Sequence, residues 1–202
     1  MKNLLLMLTV AVMLPVASNA QKLKLTKGNL APLKNEKEIL IEFDYSNFSV
    51  GKFKNEADYK AKKIEEYNKK EAGRGDKWSE AWEKDKEERF PKKFIELYNK
   101  GTQYASVNSS ASSAKYKLIV ETKFIEPGYN IGIDKRPAST NMIARFVEVD
   151  NPSNVVAEIT ITGAPGSQVM GYDFDSGTRI SECYAISAKK LVALVNKVLK
   201  KA

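Results

Sequence analysis

The chain has 202 residues, with 33 Lys and Arg against 25 Asp and Glu, one Cys and no His. The missing His excludes Ser-His-Asp and Cys-His catalysis, His-ligated zinc and an imidazole pH switch. The single Cys183 excludes an intramolecular disulfide, and 43% hydrophobic beside 29% charged residues is a globular balance rather than a disordered one.

Residues 1–20 read as a cleavable signal peptide. Lys2 supplies the positive head, Leu4 to Val16 (LLLMLTVAVMLPV) an apolar run of thirteen residues, and Ser18-Asn19-Ala20 the small residues of a cleavage site. That run is too short to span a bilayer, which needs about 20 residues, and no Cys sits near the junction to carry a lipid. The mature chain is therefore expected to begin at Gln21, to lack an integral membrane span, and to be periplasmic or secreted. Without Lys2 the count is 32 basic to 25 acidic residues, a net charge of +7. Five Lys between residues 22 and 37, and five more in the closing segment, make both ends basic. Outside the cytoplasm such a surface favours anionic lipid, anionic glycan or acidic protein over nucleic acid.

Residues 21–36 read as a polar leader, and 37–202 as one domain with a helical insertion at about 55–100. In Glu38 to Tyr45, Ile39, Ile41, Phe43 and Tyr45 alternate with polar residues, which is a half-buried strand. From Asn55 to Lys100, Glu, Lys, Tyr and Trp dominate, as helices prefer; Gly73-Arg74-Gly75 divides the stretch and Pro91 is expected to kink or break it. Trp78, Trp82 and Phe90 at helical spacing read as a buried stripe, with a stacking platform for sugar or lipid as the rival. Residues 102–114 (TQYASVNSSASSA) read as an exposed Ser-rich linker.

Three further strands follow: Tyr116 to Phe124, with Leu118, Val120, Thr122 and Phe124 on one face; Met142 to Val149; and Val155 to Ile161. Asn151-Pro152-Ser153-Asn154 makes the last two an antiparallel hairpin. A closing helix, capped within Asp175 to Thr178, runs to Leu199 with Ile180, Tyr184, Leu191, Val195 and Val198 on one stripe, and Cys183 reads as a small core residue. The order predicts a mixed α/β (α+β) fold: a mixed sheet of about four strands, the first two parallel and the later three a meander, with the C-terminal helix on one face.

Those strand directions bring the connections 46–54, 126–140 and 163–177 to one sheet edge. Long loops in a compact domain are commonly functional. Tyr129, Asp134, Lys135, Arg136, Tyr172, Asp173 and Asp175 are the candidate binding residues. Asp173-Phe174-Asp175 falls short of a calcium loop and reads as capping, so no metal or cofactor is expected. Arg74-Gly75-Asp76 reads as an interhelical turn rather than an adhesion tripeptide. Acids near Lys or Arg stay ionised, which disfavours a glycosidase-type carboxylate pair.

At Tyr116 to Thr122 (YKLIVET), the hairpin pair and Arg179 to Leu191 (RISECYAISAKKL), the chain resembles the small envelope α/β domains of penicillin-binding-protein activator lipoproteins, the curli-secretion lipoprotein and the TolB amino-terminal domain. The resemblance spans residues 37–45 and 116–200. It implies a non-enzymatic protein that binds other envelope components through loops and sheet edges. The chain departs from that group in having no lipid-bearing Cys and a long insertion. The expectation is an exported, non-catalytic interaction or assembly protein; the alternatives are a binder of anionic lipid or glycan and a carboxylate-dependent hydrolase.

Overall fold

The computed structural model describes residues 21–131, 134–166 and 175–202. The expected signal peptide lies outside the described residues. Nine strands and four α-helices lie along them: β1 Lys22–Gly28, β2 Glu38–Asp44, β3 Ser49–Val50, α1 Glu56–Asn68, α2 Arg74–Lys84, α3 Phe90–Gly101, β4 Ser106–Asn108, β5 Tyr116–Glu126, β6 Tyr129–Asn130, β7 Lys135–Arg136, β8 Ser139–Glu148, β9 Val155–Pro165 and α4 Ser176–Leu199. No described helix is long and apolar enough to cross a membrane.

The fold is mixed α/β, but its sheet has seven strands rather than about four, in the order β1-β9-β8-β5-β2-β4 with β3 also on β5. The expected part holds: β2 and β5 are parallel across the helical insertion, and β5, β8 and β9 form an antiparallel meander. The sequence reading missed three strands of this sheet, β1, β3 and β4. The supposed polar leader is β1, antiparallel to β9, with Leu23 and Leu25 turned toward the core and its Lys residues toward water. Lys on an edge strand hinders pairing with another chain. Just beyond it, Leu30 and Leu33 are fully buried.

The supposed Ser-rich linker contains β4, parallel to β2, and buries Ala105, Val107 and Ala111. The Asn99 side chain holds it, accepting from Val107 N–H at 2.8 Å and donating to Val107 C=O at 2.9 Å. In β5 a bulge between Thr122 and Phe124 switches the inward face, so Ile125, not Phe124, is fully buried. Strict alternation failed there because a bulge inserts a residue that side-chain pattern does not mark.

The helices lie on one sheet face. Phe43 of β2 meets Phe94 of α3 edge-on at 5.5 Å between ring centroids, and Phe90 of α3 stacks on Tyr184 of α4 at 5.0 Å. Fully burying each such ring contributes about 1.5–3 kcal/mol, so these contacts fasten the insertion to the sheet. On the other face the sheet is polar: Arg145 bridges Glu121 at 2.6 Å and Glu158 at 3.0 Å, across β5, β8 and β9.

Pro91 does not break its helix. Between α2 and α3 the segment Asp85–Arg89 winds as a π-turn in which Phe90 N–H reaches Asp85 C=O, and Pro91 enters α3 in its first turn. The widened turn accommodates the proline ring, which would clash with the carbonyl four residues back in a regular α-helix. Gly73, with φ +77°, supplies the left-handed turn between α1 and α2. Arg74-Gly75-Asp76 then begins α2 with only Gly75 buried, Asn68 accepting from Gly75 N–H and donating to Asp76.

Candidate functional site

A cleft of about 540 Å³ opens beyond the carboxyl ends of β3 and β5, the side of an open α/β sheet where ligands commonly bind. Its size lies within the roughly 300–1,000 Å³ of small-ligand sites. Three separate stretches build it. The turn after β3 contributes Gly51, Lys52 and Phe53; the turn after β5 contributes Glu126, Pro127, Gly128 and Tyr129; and the start of α4 contributes Asp175, Ser176 and Arg179. The fourth wall is the helical insertion, through Tyr59, Lys62, Lys63, Glu66 and Tyr67 of α1 and Trp78 of α2.

Backbone contacts lock these pieces together. Gly51 N–H donates to Ile125 C=O at 2.8 Å, and Arg179 donates to Pro127 C=O at 3.1 Å and to Gly128 C=O at 3.2 Å. Gly128 has φ +63°, and a Cβ there would stand 2.3 Å from Arg136 C=O, so the turn passes only a glycine. At α4, Asp175 caps the helix by accepting from Gly177 N–H at 3.0 Å and Thr178 N–H at 3.1 Å.

The aromatic wall is one cluster: Tyr59 lies 5.7 Å from Phe53 and 5.7 Å from Trp78, and Trp78 lies 5.9 Å from Tyr67. Trp78 is half-buried and lines the cleft, whereas Trp82 and Phe90 are buried, as the helical spacing indicated. Cations crowd the same rings: Lys63 and Arg74 stand 5.6 and 5.5 Å from the Tyr67 centroid, and Lys52 5.7 Å from that of Phe53.

The acids of the cleft are already engaged. Glu66 pairs with Lys63 at 3.3 Å; Glu126 accepts from Gly128 N–H at 3.1 Å and pairs with Arg136 at 3.3 Å; Asp175 pairs with Arg89. Burial raises the Asp175 carboxyl, but hydrogen bonds from Thr178, Arg89 and Gly177 N–H outweigh it and hold the group below its ordinary value. Among the described residues no three His, Cys, Asp or Glu side chains gather to hold a metal.

Of the seven residues read from sequence, Tyr129 and Asp175 line the cleft. Asp134 accepts a 2.9 Å hydrogen bond from the Tyr129 hydroxyl, and Arg136 stands one step behind, on Glu126. Lys135 pairs with Asn130 in the small β6–β7 hairpin, is exposed and does not line the cleft. Tyr172 and Asp173 lie outside the described residues. The reading missed Lys52, Phe53, Tyr59, Lys62, Lys63 and Tyr67. Aromatic residues recurring beside Lys in α1 were the available signal, but no local pattern shows that α1 folds back over the end of the sheet.

Behind the cleft, Asp85 of the π-turn is only 8% exposed and lies against the first turn of α4. A Cβ on Gly177 would stand 1.9 Å from its carboxylate. Burial pushes Asp85 up to about 6, the adjacent Arg89 pulling down and Asp175 pushing further up. A folded-state value above the unfolded one means the fold binds this proton more tightly, so the contribution of Asp85 to stability is smallest above pH 6 and is gained as pH falls from 6 toward 4. We expect the thermal midpoint to rise by about 2–4 °C from pH 7.5 to 5. Asp85→Asn should flatten that rise; an unchanged profile in thermal melts would refute the assignment.

No protein-family model matches the sequence, and no curated protein matches it. Solved structures do. A PelC dodecamer from Paraburkholderia phytofirmans has 13% identity and a TM-score of 0.41, over 88% of this chain and 98% of that one. A Xanthomonas campestris protein of the DUF330 family has 8% identity and a TM-score of 0.35, over 82% and 86%. At TM-scores below 0.5 neither likeness assigns a function here.

Proposed function

We propose that this chain is an exported, non-catalytic interaction protein of the cell envelope that captures another envelope component in the cleft at the loop-bearing end of its sheet. The observation that carries this reading is the convergence of three connections and the insertion helices on one aromatic-walled cavity. Its acids are tied to Lys63, to Arg136 and to Arg89. A hydrolase would need a carboxyl held protonated near neutrality and a second one free to ionise. Asp85, raised to about 6, stands outside the cleft lining, and Asp175 within it is held low and is a poor proton donor, so docking fits the cleft better than chemistry. The envelope setting rests on the signal-peptide pattern of residues 1–20 and on the resemblance of residues 37–45 and 116–200 to envelope domains.

The test is retention of envelope components by the tagged protein against a Trp78→Ala/Tyr129→Ala variant. Wild type should hold a component that the variant loses while melting cooperatively. Equal retention would remove the cleft from the function. Tyr129 is 41% exposed, so Tyr129→Ala alone preserves the fold should the pair prove unstable.

A further inference from the structure

Charge in the cleft is not balanced as the simple residue count implies. Each of its acids has a cationic or N–H partner, as described above, whereas Lys52, on the turn after β3, has no carboxylate within ion-pair distance among the described residues. Lys62 pairs only with Glu65, at 3.4 Å and with both side chains about half exposed. Such a contact contributes roughly 0–1 kcal/mol and yields readily to a better anion. The mouth is therefore electropositive beside an apolar wall.

The wall and the charge together select a ligand chemistry. Phe53, Tyr59 and Trp78 offer flat apolar surface, but backbone and charged side chains complete the lining. A lipid acyl chain would strand those polar groups without partners, at a cost of about 1–3 kcal/mol each. A sugar ring suits both demands: its C–H face lies on aromatic carbon while its hydroxyls meet the polar rim. A neutral sugar leaves Lys52 without a counter-charge, and an acidic one supplies it.

We infer that the cleft binds an acidic saccharide, a sugar ring bearing a carboxylate or sulfate, with the anion on Lys52 and Lys63 and the ring against Trp78. This rests on the reading of the cleft as the docking surface and names its ligand class. The pairing of Lys63 with Glu66, at 3.3 Å and partly exposed, is one the ligand anion would share.

The experiment titrates the purified protein with hexameric oligogalacturonate, with a neutral cello-oligosaccharide of the same length and with phosphatidylglycerol vesicles. Calorimetry and tryptophan fluorescence are the readouts; Trp78 lines the cleft while Trp82 is 2% exposed. The acidic oligomer should bind and shift the fluorescence, with the neutral one weaker by at least about tenfold. Lys52→Gln/Lys63→Gln should weaken the acidic oligomer by about tenfold. The exposed pair Lys189→Gln/Lys190→Gln, removing equal charge far along α4, should leave it unchanged. Trp78→Phe should retain more binding than Trp78→Ala.

Equal binding of the neutral oligomer, equal loss from both lysine pairs, or binding to the vesicles alone would overturn the proposal. Should both oligosaccharides fail while Trp78 and Tyr129 still govern retention of an envelope component, the ligand class falls and the docking reading stands. Should that retention also fail, both fall.

Discussion

Tyr184→Ala is expected to destabilise the protein by about 3–5 kcal/mol, the range for deleting a buried aromatic ring. The ring is fully buried on α4 and stacks on Phe90 at 5.0 Å, and it also lies 6.4 Å from Tyr45, at the end of β2. Its hydroxyl lies 2.6 Å from that of Thr122 in β5. One side chain therefore joins the closing helix, the insertion and the sheet. Tyr184→Phe separates the two contributions, since it keeps the ring and removes the hydroxyl that Thr122 meets, at about 1–2 kcal/mol. Urea denaturation of both variants checks this. If the two cost the same, the ring's packing is not what holds the insertion down.

Lys86→Met should cost about 3 kcal/mol although the position sits in a run of charged residues, DKEER. The Lys86 side chain is 10% exposed and its ammonium bonds to Glu56 of α1 and, at 2.8 Å, to Glu83 of α2. It also stands 6.0 and 5.9 Å from the rings of Tyr45 and Phe48, so it ties three helical segments to the sheet. Glu56 accepts from Trp82 as well, and without Lys86 it would be a mostly buried carboxylate with one neutral donor. Breaking a buried pair from one side costs about 3–5 kcal/mol. Glu83, still reached by water, moderates the figure to the lower end. Removing the charge at both ends, Lys86→Met with Glu56→Gln, should recover most of the loss in the same denaturation assay. A double variant no more stable than Lys86→Met would mean the penalty is lost packing rather than a stranded charge.

The parts of the fold that were readable are those whose cause is local. The alternation at Ile39, Ile41 and Phe43, the turn Asn151 to Asn154, the Asp175 cap and the stripe Ile180, Tyr184, Leu191 and Val195 each sit where the residues alone put them. Period and capping are properties of one segment, and they survive whatever the rest of the chain does. In β1 the same period-two signal was present, Leu23 and Leu25 between Lys, but its charge concealed it. Its strand character depends on hydrogen-bonding groups offered by β9, more than a hundred residues later.

The candidate site was legible only in outline. Strand direction alone brings Tyr129 and Asp175 toward a common rim, and they do line one cleft. Lys135 could not be separated from them, because which way a hairpin residue faces follows from a register that the loop sequence leaves open.

By itself the sequence determined which chemistry is excluded, through the missing His and the lone Cys183, and which segments are strand or helix wherever period and caps agree. Only the tertiary structure decided that Lys86 is buried, that the sheet has seven strands, and that α1 walls the cleft with Tyr59, Tyr67 and Trp78 of α2 beside it. The physical reason is the range of the interactions. Dihedral preference and amphipathic period act within a few residues, whereas burial of a charge, completion of a sheet edge and closure of a cavity require partners brought from distant parts of the chain.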